Sequence, residues 1–488
     1  LSTTTHGHET RVEKDSMGEM RVPADVLYGA STQRAVINFP ISGRRVPDPI
    51  IHAFALLKRA CAETNAALGL LSETKSARIV KACDAIAHGL PDQGGIERHF
   101  PIDIFQTGSG TSTNMNVNEV VANLACVANG APIGSSKDAS YLAQDAAVHP
   151  NDHVNMGQSS NDTFPSAIHI AAALRIHEIL RPAVAAMGDE LEKKAHAWDS
   201  VVKIGRTHLQ DATPIRLGQE FSGYASQMRH AEDRLSRALG VLCELPIGGT
   251  AVGTGINTHP RFGEGVCERL SARTGLAFRE ADNHFEAQHA KDALVEASAL
   301  LRTIAVSVSK IVNDIRWLGS GPRCGIGELR LPAVQPGSSI MPGKVNPVIC
   351  EAAIMACCQV VGNDAAVAMG GFGGVGSLLD LNVAMPMMAA NILDSIDLLA
   401  NSATVLRGRM LEGLEPDLER CAALIEGSLA MCTSLVPEIG YDAAAALAHD
   451  AYEQGKTVRE VAIERGLLSE SRLAELLDPD SMTRPISG

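Results

Sequence analysis

The chain has 488 residues, more than one compact core holds, so two or three domains are expected. Hydrophobic residues make up 45% and aromatics only 3%, so Ala, Leu, Val, Ile and Met must fill the core, which suits close-packed helices better than an aromatic-rich sandwich of sheets. A net charge of −14 excludes a global basic field for nucleic acid, and it obliges any site for an anionic substrate to build its own positive potential.

Along the chain, the first ten residues, LSTTTHGHET, are polar and lack the apolar stretch of a secretory signal. Residues 11–50 are broken by Pro23, Gly29, Pro40, Gly43 and Pro47 and read as an irregular entry segment. Residues 51–100 hold two Ala-rich helical patterns. Between 101 and 161 the chain turns rich in Gly, Ser, Thr and Asn, with helical pieces between loops, and loops on a rigid scaffold tend to carry chemistry. Leu180, Val184, Met187 and Leu191 alternate at spacings of 3 and 4. Leu294, Ala297, Leu301, Ile304, Val308, Ile311, Ile315 and Leu318 continue the pattern, predicting a helix of about 25 residues, roughly 37 Å long. Seams on more than one side imply a bundle shared between subunits. From about residue 416 the pattern shortens, and Thr457 with Glu460 has capping-box spacing. Eleven scattered cysteines without a CxxC pair predict reduced, mostly buried thiols and no structural zinc or iron–sulfur cluster. No run of 18 apolar residues occurs, so no membrane span is expected.

Three polar segments can carry chemistry. The first, TGSGTSTNMN at 107–116, gathers Ser109, Thr111 and other small donors around two glycines; alone it reads more readily as an ordinary helix cap. The second is HPNDHVNMGQSSND at 149–162, with GRTHLQDATP at 205–214 following. His149, Asp152 and His153 raise a metal site, but HExxH is absent and Pro150 makes a turn. His208, taken alone, is more often structural than catalytic. The third, GSSIMPGKVNPVICE at 337–351, is interrupted by Pro342 and Pro347, so it reads as a loop tipped by Lys344 and leading into a helix over 348–361. Val345 after Lys344 rules out a Walker A loop, and GGFGGVG at 370–376 lacks the context of a dinucleotide fold.

Together, GSSIMPGKVNP, GSGTSTNMN and HPNDHVN–GQSSND resemble the fumarase/aspartase superfamily, in its motif order, from about Arg11 to the C-terminus and including YGASTQRAVINFPIS at 28–42. Within it, His208, Ser160 and Gly343 stand where aspartases typically carry Gln, Thr and Ala, and SGPRCGIGEL at 320–329 is missing from argininosuccinate and adenylosuccinate lyases. The resemblance therefore implies reversible hydration of fumarate to L-malate, with no metal and no cofactor. The alternatives are an aspartate ammonia-lyase, another fumarate-producing lyase, or a non-catalytic helical homologue. It implies an all-α fold of three domains: an N-terminal helical domain with active-site loops (1–158), a central long-helix bundle forming a multi-helix tetramer core (159–415), and a small C-terminal helical domain (416–488). It assigns Ser338 as the base, His208 as the group serving the leaving hydroxyl, and Glu351 as the partner of His208. Lys344 and Asn346 are to hold one substrate carboxylate; Thr111, Ser159, Ser160 and Asn161 the other, with Ser109 and Thr207 nearby. His149, Asn151 and Asp152 resemble a second anion site. The implied partners are small dicarboxylates and other copies of the chain, in a cytoplasmic homotetramer whose sites are shared between subunits, without nucleic acid or membrane. Two departures stand out: Leu379-Asp380 where Phe-Glu is usual, a shorter acid able to alter packing near the site, and His289 with Lys291 where Ala-Ala-His-Asp is commoner.

Overall fold

The computed structural model describes residues 9–144 and 146–485; the polar leader at 1–8 lies outside the described residues. The chain is predominantly helical, and its described strands form five two-stranded sheets with no closed sheet among them. Two compact units share the chain. One comprises Leu1–Arg181, Arg234–Thr303 and Gln359–Leu399; the other comprises Pro182–Asp233, Ile304–Cys358 and Ala400–Gly488.

In the first unit, helices Asp48–Ala67 and Glu73–Ala87 supply the two Ala-rich patterns. The first of them packs against Ser160–Arg175, whose residues Asp162 to Ala173 are all buried, with Phe54 and Phe164 rings 5.8 Å apart. Small side chains let these axes approach closely, as the Ala-rich composition requires. The entry segment is more ordered than its sequence suggests. Strands Thr10–Asp15 and Gly18–Pro23 pair antiparallel, and helix Ala30–Asn38 follows. Tertiary contacts organise it: Arg11 donates to the carbonyls of Pro23, Val26 and Tyr28, while buried Glu119 accepts the N–H groups of Gly29, Ser31 and Thr32. A carboxylate at a helix N-terminus satisfies orphan donors that local sequence leaves open.

The seam 294–318 lies in helix Asp292–Leu318, about 40 Å long by its rise per residue. Every seam residue from Leu294 to Leu318 is buried, as are Leu180, Val184, Met187 and Leu191. Helix Val348–Gly371 begins where expected and runs ten residues further. It is also long and apolar enough to cross a membrane, although no uninterrupted apolar run marks it, and only 33% of its most apolar window is buried within the chain. It carries Glu351 and Asp364, so an interface with other helices suits it better than lipid.

In the second unit, short C-terminal helices close a cluster of Ile425, Met431, Leu435, Leu447, Val461 and Leu473, which also takes Ile204 from the hairpin Val202–Thr207/Gln210–Arg216. Thr457 and Glu460 form the expected capping box. All eleven cysteines are free and eight are buried.

Candidate active site

In the first unit, the segment 107–116 is largely helical rather than a loop. Helix Thr111–Ala128 starts immediately after Gly110, which has φ +72. Two glycines are required here: a Cβ on Gly108 would lie 1.8 Å from the Val383 carbonyl oxygen, and one on Gly110 would lie 2.1 Å from the Phe164 ring. This packing brings three hydroxyls into one chain. Ser109 Oγ lies 2.9 Å from Thr111 Oγ1, which lies 2.7 Å from Ser160 Oγ. Ser159 caps helix Ser160–Arg175, its Oγ accepting the Asn161 N–H at 3.2 Å, and Asn161 Nδ2 donates to the Ala251 carbonyl at 2.8 Å. Hydroxyls and a helix N-terminus thus converge without any cation at the surface of the cradle, an arrangement suited to a small carboxylate.

His149, Asn151 and Asp152 also come together. His149 Nδ1 accepts the backbone N–H groups of Asn151 at 3.2 Å and Asp152 at 3.0 Å, capping the π-helical turn Pro150–Val154. Burial holds the imidazole below its usual range, against the pull of the Asp152 carboxylate 3.3 Å away.

In the second unit, residues 337–347 form a compact loop outside regular helix. The Gly337 N–H donates to the Lys344 carbonyl at 2.9 Å, and Asn346 Nδ2 donates to the Gly337 carbonyl at 2.6 Å, pinning the loop's two ends together. Inside it, Ser338 Oγ accepts the backbone N–H groups of Ile340 at 3.2 Å and Met341 at 2.9 Å. Two aligned N–H dipoles on one hydroxyl oxygen favour its anion. Lys344 is exposed at the tip, and its ammonium has no ion-pair partner among the described residues.

Thr207 ends one strand of the 202–216 hairpin, and His208 and Leu209 form its two-residue turn with φ +57 and +59, so both turn residues adopt a conformation rare for bulky side chains. The hairpin is anchored from below: Lys203 Nζ lies 3.2 Å from Glu220 and 3.3 Å from Glu328, and Arg206 donates to Glu328 at 2.8 Å. Glu328 and Lys203 are buried. Thr207, His208 and Glu351 are exposed, and among the described residues no hydrogen bond or ion pair joins His208 to Glu351 within the chain.

The Leu379-Asp380 departure falls on the exposed two-residue turn between Ser377–Leu378 and Leu381–Asn382, so within the chain the shorter acid packs against nothing in the core. Neighbouring Asn382 is buried and holds the Gly370 carbonyl. His449, Asp450 and Glu453 bring side-chain nitrogen and carboxylate oxygen atoms within 4.8 Å of one another on helix Tyr441–Gln454, where no motif residue lies. Sequence reasoning gave no role to Lys58, Asp162, Lys203 or Glu328. The S-x-x-D spacing of Ser159 and Asp162 was the available signal for one of them, and it forms a full capping box.

A family model described as Lyase matches residues 18–362, and one described as Fumarase C C-terminus matches residues 431–484. The fold and these matches define a lyase of the fumarase/aspartase superfamily. The class II fumarate hydratase of Neisseria meningitidis is 48% identical over 476 residues, covering 98% of this chain and 99% of that protein. The mitochondrial fumarate hydratase of Rattus norvegicus is 49% identical over 477 residues, covering 97% of this chain and 90% of that protein. A crystal structure of the class II fumarase of Schistosoma mansoni superposes with a TM-score of 0.91 at 39% identity, covering 97% of this chain and 99% of that one. The chain belongs to the class II fumarate hydratases.

Proposed function

We propose that the chain interconverts fumarate and L-malate through a site assembled from the 107–116, 149–162, 205–214 and 337–351 segments of different subunits. The observation that carries the mechanism is Ser338 Oγ taking two backbone N–H groups within a loop tipped by Lys344. A serine hydroxyl is a poor base at neutral pH, and those dipoles with the ammonium lower the cost of its alkoxide. In malate dehydration, Ser338 Oγ takes the proton from the carbon beside one carboxylate, and the C–H electron pair flows into that carboxylate. Lys344 and Asn346 stabilise the extra negative charge of this aci-carboxylate. The C–OH bond then breaks, and the departing hydroxide takes a proton relayed through water from His208, with Glu351 as its partner. The products are fumarate and water. Ser109, Thr111, Ser159, Ser160 and Asn161 hold the other carboxylate, with Thr207 beside them. His149, Asn151 and Asp152 form a second anion site.

One acid–base group supplies about 10²–10⁴-fold, so two reach only the low end of enzymatic acceleration, and preorganised donors must supply the rest. That requirement matches a site dense in Ser, Thr and Asn.

A homotetramer is supported by the apolar side chains the single chain leaves exposed on its long helices: Val306, Trp317, Met355, Val361, Met369 and Val405. The eleven free thiols support a reducing, cytoplasmic setting. Thr111→Val and Ser338→Ala are each expected to be inactive. Dissociated, mixed in equal amounts and reassembled, they should recover about a quarter of wild-type activity, because that share of sites draws both intact segments from different chains. Recovery of nothing would mean that each site lies within one chain.

A further inference from the structure

Beneath the hydroxyl cradle the first unit buries two opposite charges that the mechanism above does not use. Asp162 is completely buried. Its Oδ1 accepts the Ser159 N–H at 2.9 Å, and its Oδ2 accepts the N–H groups of Thr250 at 3.0 Å and Gly248 at 3.3 Å. The carboxylate thereby braces the start of helix Ser160–Arg175 against residues 248–251, the stretch whose Ala251 carbonyl takes Asn161 Nδ2. As a brace the geometry is good. As electrostatics it is adverse, because a buried negative charge sits within one helical turn of a cradle meant for a dianion.

Lys58, on helix Asp48–Ala67, is also completely buried. Its ammonium donates to Asn155 Oδ1 and Gln158 Oε1, both at 2.9 Å and both neutral. Those amides belong to a dense polar plug. Asn114 and Asn118 donate to the same Asn155 oxygen, and Asn155 Nδ2 donates to the Gln158 carbonyl. The charge thus hangs from the residue that precedes Ser159 and from the segment that links the second anion site to the cradle. Among the described residues Lys58 makes no ion pair, and a buried ammonium without one is costly unless a charge nearby offsets it. Asp162 is that charge. Burial pulls Lys58 down to about 8 and pushes Asp162 up to about 7, and the field of each favours the charged form of the other.

We infer that Lys58 is a positioning residue for fumarate and malate binding, whose buried charge cancels that of Asp162 so that Asp162 can brace the cradle without repelling the substrate. This rests on the reading of Thr111, Ser159, Ser160 and Asn161 as a carboxylate cradle. It explains how a strongly acidic chain tolerates a carboxylate directly behind an anion site.

The test is a double-mutant cycle read through the inhibition constant of succinate, a saturated dianion of the same length, with kcat and KM for L-malate measured alongside. Lys58→Met should weaken succinate about 10–100-fold and raise KM, with kcat changed far less. Adding Asp162→Asn to Lys58→Met should restore succinate affinity to within about threefold of wild type. A purely structural role for Lys58 predicts the opposite, because the second substitution removes another brace. The inference is overturned if Lys58→Met leaves succinate affinity unchanged, or if the double variant binds no better than Lys58→Met. Should Lys58→Met fail to fold, Lys58→Gln keeps a donor for the two amides and carries the same comparison. Unchanged succinate affinity in Thr111→Val would remove the cradle reading itself and this inference with it, which separates the two failures.

Discussion

Lys291 shows how much a single position can hide. It replaces the His commoner in Ala-Ala-His-Asp, and nothing in the sequence says where its amine goes. In the structure Lys291 is buried, its ammonium donates to the Ala287 carbonyl, and burial pulls it down to about 7 against the fields of Glu286 and Asp292. The unfolded chain holds this proton up to the ordinary lysine range, so between about pH 7 and pH 10 it binds a proton that the folded chain has released. Stability should therefore rise with pH across that window, by at most about 1.4 kcal/mol per pH unit, and Lys291→Met should flatten the rise. Melting temperatures of both proteins from pH 7 to 10 check this; parallel profiles would mean that Lys291 stays charged in the fold. The motif segments stood out in the sequence because glycines, prolines and small polar side chains cluster in them, as around Ser338, Lys344 and Asn346, but the role of each residue came from the family resemblance and not from its spacing. Lys58 was illegible because one lysine on an Ala-rich helical pattern looks like a solvated face, and only tertiary packing turns it inward.

Among the elements, the helices with seams at 180–191 and 294–318 were readable, whereas the long helices Leu217–Leu242 and Met385–Leu406 and the hairpins were not. A seam repeats from Leu294 to Leu318 within the 27-residue helix Asp292–Leu318, whereas the hairpin carrying His208 has two short strands with no clean alternation. Its turn lacks the Asn-Gly or Gly-Gly signal, since His208 and Leu209 themselves take positive φ. Side-chain anchoring replaces turn chemistry. Lys203 and Arg206 both converge on buried Glu328, which lies in the SGPRCGIGEL stretch that read only as a family mark. Glu328→Gln would leave buried Lys203 without that carboxylate. Removing one partner from such a cluster costs about 3–5 kcal/mol. The expected result is a clearly lower melting temperature and loss of turnover through a displaced His208. An unaltered melt would show that the hairpin stands without this anchor. The entry segment was missed for a related reason: Arg11 at its start and Glu119, far along the chain, tie its turns together through side-chain contacts.

For the whole molecule, the low aromatic content and the long seams predicted a helical protein, and the chain is one. What composition could not convey is how much apolar helix surface a single copy leaves uncovered. Helix Val348–Gly371 combines Glu351 in its first turn with exposed Met355, Val361 and Met369, so under the proposal above one element carries both a proposed site residue and a proposed interface. The measurement that bears most directly on the function is the ultraviolet absorbance of the fumarate double bond, followed in chelator-treated protein supplied with L-malate or with L-aspartate. Absorbance should rise with L-malate alone, and the rise should vanish in Ser338→Ala. A rise with L-aspartate, or none with L-malate, would contradict the assignment of fumarate hydration to this chain.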